Sequence, residues 1–159
     1  MDTETTDGIG LELQREVAAS PQAVFDALTD PDRQRLWLSA LGPEAGAVAT
    51  SVDLRVGGVW ESTFRASPEI TVHDVWTYRE IEPARRVVAD LVGESTAGGK
   101  PMPTLHARIV LGFEATASGT LVTVEQTGFP SEEMRGFFEN VVWPGALGRI
   151  ETLLTAAGS

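Results

Sequence analysis

The sequence predicts an α+β protein, an antiparallel sheet of about seven strands with its helices on one face, closed by a long C-terminal helix. Three observations carry this. Trp143, Leu147, Ile150 and Leu154 recur at steps of four, three and four, the spacing of one helical face. Most of the chain before them alternates apolar and polar residues with period two. Short turns rich in Gly, Pro and Ser part those runs, and strands joined by short turns pair antiparallel. Strands with one apolar face need something to close over. The expectation is that they grip the last helix and leave a pocket beside it.

The first strand is Ile9 to Val17, with Leu11, Leu13, Arg15 and Val17 on its inner face and Glu12 and Glu16 outside. An inward Arg15 requires a partner, either a structural acid or a ligand carboxylate. Ser20-Pro21 then gives an N-cap and a first helical residue, followed by the apolar Val24, Phe25, Ala27 and Leu28. Asp30-Pro31 repeats the signal for a second short helix reaching Leu38. Next come strands Val48 to Leu54 and Val59 to Phe64 around Gly57-Gly58. Ile70 to Ile81 follows and is ended by Glu82-Pro83, then Arg86 to Val92. Residues 93–103 read as a Gly- and Pro-rich hairpin loop. Leu105 to Phe113 and Thr120 to Thr127 are the last two strands. Ser131 caps a short apolar-sided segment with Met134, Phe137 and Phe138. Pro144, which lacks an N–H, suits the first position of the closing helix, Trp143 to Ala156. Residues 1–8 are expected as a disordered, solvated tail, and residues 9–156 as a single domain.

Composition removes several classes of function. A net charge of −11, with Lys100 the one lysine, argues against nucleic acid, which needs clustered basic residues. No apolar run is long enough for an integral membrane contact, and the acidic start is unlike a signal peptide. With no cysteine there are no disulfides, thiolate metal sites or cysteine nucleophiles, and a cytoplasmic location fits best. His73 and His106 lack metal-binding spacing, so neither a metal nor another cofactor is expected. GESTAGGK fails as a phosphate loop because Glu94 and Pro101 stand where Gly and Ser or Thr are needed. A GxSxG elbow is absent too.

Several pieces, in this order, resemble the SRPBCC, or START-like, helix-grip superfamily, and within it the branch named after the activator of the heat-shock-protein-90 ATPase. They are Arg15 with Ala19-Ser20-Pro21, then Val24 to Pro31, Leu36-Trp37, and Asp53-Leu54-Arg55-Val56-Gly57-Gly58. Ile81-Glu82-Pro83 with Arg86-Val87-Val88, Gly119 to Val124, Thr127-Gly128-Phe129 and Trp143 with its helical stripe complete the set. The resemblance implies a strongly curved sheet around the last helix, with a cavity between them. In this superfamily such cavities hold lipids, polyketides, hormones or other apolar molecules, and a few members catalyse cyclisation or dehydration there. The co-chaperone that names the branch has a further N-terminal domain for which this length leaves no room, so a chaperone partner is disfavoured. A homodimer is compatible with the sequence. A histidine common before the Thr-Gly-Phe piece is here Gln126, which hydrogen-bonds but does not exchange a proton near neutral pH.

The candidate ligand-binding residues are Trp37, Trp60, Phe64, Trp76, Tyr78, Gln126, Phe138, Trp143 and Leu147. Together they suit an apolar pocket with a few polar tips: the Trp N–H groups, the Tyr78 hydroxyl, Gln126 and Arg15. The leading expectation is binding of a small hydrophobic or aromatic molecule. The alternatives are a cyclase or dehydratase in the same cavity, with Tyr78, His73 or a buried carboxylate as acid or base, and a chaperone-interacting module. Glu61, Asp74 and Glu80 are left unplaced, because one bulge moves every later side chain to the other face.

Overall fold

The computed structural model describes residues 9–45 and 47–158; the expected N-terminal tail lies outside them. Strand β1 (Ile9–Val17) leads into α1 (Pro21–Thr29) and α2 (Pro31–Trp37). Then follow β2 (Ala49–Val52), β3 (Val59–Ser67), β4 (Ile70–Glu82), β5 (Arg86–Ala97), the two-residue β6 (Lys100–Pro101), β7 (Leu105–Ala115) and β8 (Thr120–Phe129). The chain ends with α3 (Glu132–Phe137), a π-helical turn (Phe138–Val142) and α4 (Trp143–Gly158). The sheet order is β1-β8-β7-β5-β4-β3-β2, with β6 paired to β5, and every pairing is antiparallel.

The caps work as their residues dictate. Ser20 accepts from the Ala23 N–H, and Asp30 accepts from the Asp32 N–H, with proline opening each helix. Helix α4 buries Trp143, Leu147 and Ile150 against the sheet, each contributing roughly 2–3 kcal/mol of apolar transfer. Arg15 finds its partner there. Its Nη2 donates to Glu151 Oε1 at 3.1 Å, while Glu151 Oε2 accepts from the Ala18 N–H at 2.8 Å, fastening β1 to the helix.

Three expectations are corrected. β2 is shorter than Val48 to Leu54, because Asp53 to Gly58 turn on themselves and Gly57 and Gly58 bond to Tyr78 of β4 instead. Residues 93–97 are strand, not loop: Ile70 to Asp74 of β4 need partners, and Ala97 to Gly93 supply them. Helix α4 begins at Trp143 as expected, but Pro144 does not open the helical backbone there. Helical backbone runs on from Glu132, and Pro144 sits inside it. A proline within an α-helix forfeits a hydrogen bond and crowds the carbonyl four residues back, here Asn140. The π turn just ahead, where the Trp143 N–H reaches Phe138 O, is the distortion that absorbs this.

Candidate functional site

Between the inner sheet face and the α3–α4 helical run lies a cavity of about 390 Å³. Strand periodicity builds its floor. Trp60, Ser62 and Phe64 of β3 point inward, as do Val72, Asp74 and Trp76 of β4, and Leu91 and Gly93 of β5. The helices supply the roof through Phe138, Trp143 and Ala146, with Trp37 and Leu38 closing one side. A shallower groove of about 330 Å³ lies on the outer face beside His73 and Pro101, away from these aromatic residues.

Of the nine residues expected at the site, Trp37, Trp60, Phe64, Trp76, Gln126, Phe138 and Trp143 border this one cavity. Tyr78 and Leu147 are fully buried in the core outside its lining. Trp60 and Trp76, cross-strand partners, stack with centroids 4.6 Å apart and planes tilted by 44°.

The polar tips differ from expectation. Three indole N–H groups are already used: Trp37 donates to Ala27 O, Trp60 to Thr50 Oγ1 and Trp143 to Gln126 Oε1, at 2.8, 2.9 and 2.8 Å. Buried donors find partners within the protein because leaving one unpaired costs about 1–3 kcal/mol. Arg15 Nη2 is taken by Glu151, and its Nη1 is buried without a hydrogen-bond partner among the described residues, outside the cavity lining. His73 faces outward, with Nε2 at 2.7 Å from Glu61 Oε2 and Nδ1 at 3.6 Å from Glu94 Oε1; these carboxylates raise its pKa. The Tyr78 hydroxyl is buried without a hydrogen-bond partner among the described residues, and desolvation raises its pKa.

What remains for a ligand is a different set. Gln126 is fully buried, and because its Oε1 takes the Trp143 N–H, its Nε2 is the unpartnered end. Arg149 borders the cavity, but its Nε donates to Trp37 O at 2.7 Å, at the C-terminal end of α2, where carbonyls lack helical partners. Asp74 is the residue the sequence left unplaced. It is half-buried by surface area because it borders the cavity, yet protein encloses its other sides. Desolvation therefore raises its pKa from 3.8 to about 7, against a lowering influence from His73. Its parity with Trp76 and Tyr78 would have placed it, since the bulge in β4 falls later, between Tyr78 and Glu80. Among the described residues no cluster of three His, Asp or Glu side chains gathers to hold a metal, and no helix is long and apolar enough to cross a membrane.

The family model described as activator of Hsp90 ATPase homolog 1-like protein matches residues 18–155. The chain belongs to that family. Solved structures of similar fold include Ms6760 from Mycobacterium smegmatis, at 21% identity and a TM-score of 0.71, with 95% of this chain and 94% of that one covered. Protein NE0264 from Nitrosomonas europaea is 20% identical, with a TM-score of 0.67 and coverage of 94% and 96%. DynU16, from the dynemicin biosynthetic locus, is 15% identical with a TM-score of 0.64, and 93% of this chain matches 48% of that one. At such identities these likenesses speak to the fold. No curated protein is matched by the sequence. Within the Hsp90-ATPase-activator-like family, the chain's helix-grip architecture is thus established.

Proposed function

We propose that this Hsp90-activator-like chain binds a small hydrophobic or aromatic molecule in the cavity between its sheet and its C-terminal helical run. The observation that carries this reading is an open, mainly apolar space of about 390 Å³ in the interior of a small domain. Interiors pack without voids much larger than a water molecule, and small-molecule sites have volumes of this order. Trp37, Trp60, Phe64, Trp76, Phe138 and Trp143 are the proposed wall, and Gln126 an orienting donor. Tyr78 and Leu147 support that wall from the core.

Binding is preferred over acid–base catalysis on geometry. Asp74 borders the cavity, but His73 points to the opposite sheet face and Tyr78 lies outside the lining, so among the described residues no carboxylate–histidine or carboxylate–tyrosine pair forms there. A chaperone-docking role would suit a cavity filled by side chains, which this one is not.

The test is native mass spectrometry of the protein purified from its own host, with denaturing extraction, joined to titration with the neutral dye Nile red. A stoichiometric apolar adduct, or saturable dye uptake lost in Ala146→Phe, is the expected result; Ala146 borders the cavity and a larger ring there fills it. A clean apo mass together with no dye uptake by folded protein overturns the reading.

A further inference from the structure

The Asp74 carboxyl has no hydrogen-bond or ion-pair partner among the described residues. Across the sheet it faces Ser62 on β3 and Gly93 on β5. A Cβ at Gly93 would stand 2.9 Å from Asp74 Oδ1, so the absent side chain is what gives the carboxyl its room. On the same inner face, Trp76 is two residues along the strand, and Trp60 and Phe64 flank Ser62. The acid therefore shares its sheet face with three aromatic side chains and the Ser62 hydroxyl, and no donor among the described residues bonds it.

The charged and titratable groups near it are His73, Glu94, Arg149 and Tyr78, and none of them forms a hydrogen bond or ion pair with it; Glu94 also borders the cavity and adds a second carboxylate there. His73 lies on the outer face between Glu61 and Glu94. Arg149, on the α4 side of the cavity, gives its guanidinium to the Trp37 and Leu38 carbonyls. Tyr78, further along β4, lies outside the lining. A buried carboxyl that the protein leaves without a donor is costly to keep ionised. A ligand ammonium reverses that cost, since it both pairs with the carboxylate and is attracted to aromatic faces. The formal charge of −11 adds a field that draws cations.

We propose that the occupant of the cavity carries a cationic amine on an apolar or aromatic body, with the amine held by Asp74 among Trp60, Trp76 and Phe64. This rests on the ligand-binding reading above and specifies its ligand. The apolar body lies against the helical roof, where Phe138 and Trp143 offer carbon surface.

The test uses the full chain and a matched pair of probes, naphthylethylamine and naphthylethanol, which share size and ring and differ in charge. Isothermal titration calorimetry is run at pH 8 and pH 5.5, on the wild type and on Asp74→Asn. At pH 8 the amine should bind about tenfold or more tightly than the alcohol, the scale of a partly desolvated ion pair with aromatic support. At pH 5.5 Asp74 keeps its proton while the amine stays charged, so the preference should shrink; in Asp74→Asn it should be absent at both pH values.

Equal affinities in the wild type at pH 8, or an amine preference that survives Asp74→Asn, overturn this proposal and leave cavity binding intact. An alcohol that binds more tightly overturns it in favour of a neutral ligand. If folded wild-type protein takes up neither probe nor Nile red, both readings fall. Should Asp74→Asn not fold, the wild type still decides: the amine's affinity must rise with pH while the alcohol's does not.

Discussion

Asp74→Asn in the unliganded protein isolates the energetic consequence of placing a carboxyl in the cavity wall. The sign follows from the raised pKa. In the unfolded chain Asp74 loses its proton near 3.8, whereas in the folded protein it keeps it until about pH 7. Between these values the native state binds more protons, so its stability falls as pH rises. Above pH 7 the penalty is complete, and below pH 3.8 it is gone. Asparagine has the same shape and no such titration. From pH 5 to pH 8 the variant should therefore gain on the wild type by about 1–3 kcal/mol, the upper figure from 1.36 kcal/mol per pKa unit and the lower allowing for water entering the cavity. Urea unfolding of both proteins at the two pH values reads this difference directly, and the other titrating groups cancel. A difference that stays constant, or a variant that loses ground at pH 8, refutes the argument that desolvation dominates at Asp74.

Two further perturbations probe the scaffold. Trp143→Phe removes the donor to Gln126 Oε1 and leaves both ends of a fully buried amide unpaired, at an expected cost of about 1–3 kcal/mol. Adding Gln126→Leu should recover a large part of that loss; a cycle showing no coupling in urea unfolding contradicts the bond's importance. Gly128→Ala places a Cβ 2.2 Å from His106 O in a residue with φ of +104°, so it should destabilise by more than about 2 kcal/mol. Gly112→Ala, where the nearest atom is Thr123 Cβ at 3.7 Å, should stay within about 1 kcal/mol. Similar melting temperatures for the two alanine variants would contradict the steric account.

Local pattern made most of the fold legible. The alternation in Leu105 to Phe113 and the proline-led starts of α1 and α2 are local signals, and local signals survive into the structure. The extension of β5 was hidden because Gly93-Glu94-Ser95-Thr96 has the composition of a loop. Only its pairing partner on β4 makes it strand, a non-local cause. The site was legible in its aromatic wall and not in its polar groups. Which indole N–H is already satisfied depends on Ala27, Thr50 and Gln126, brought near by folding. Asp74 was withheld by the threat of a bulge that falls five residues later, at Arg79. The cavity itself is a distance between sheet and helix, which no side-chain pattern encodes.

The π turn has a consequence for how the cavity is specified. In a plain α-helix, five residues leave a side chain about 140° away from where it began. Here the Trp143 N–H bonds to Phe138 O, so those two residues stand one above the other. One additional residue has reset the angular phase of the helix, and Met134 before the turn and Phe138 at its first position border the same cavity as Trp143 and Ala146 after it. Asn140 is exposed and does not border the chamber. Deleting it would nonetheless rotate one half of the roof from the other by roughly 100°, so the chamber is written in residue count as much as in residue type.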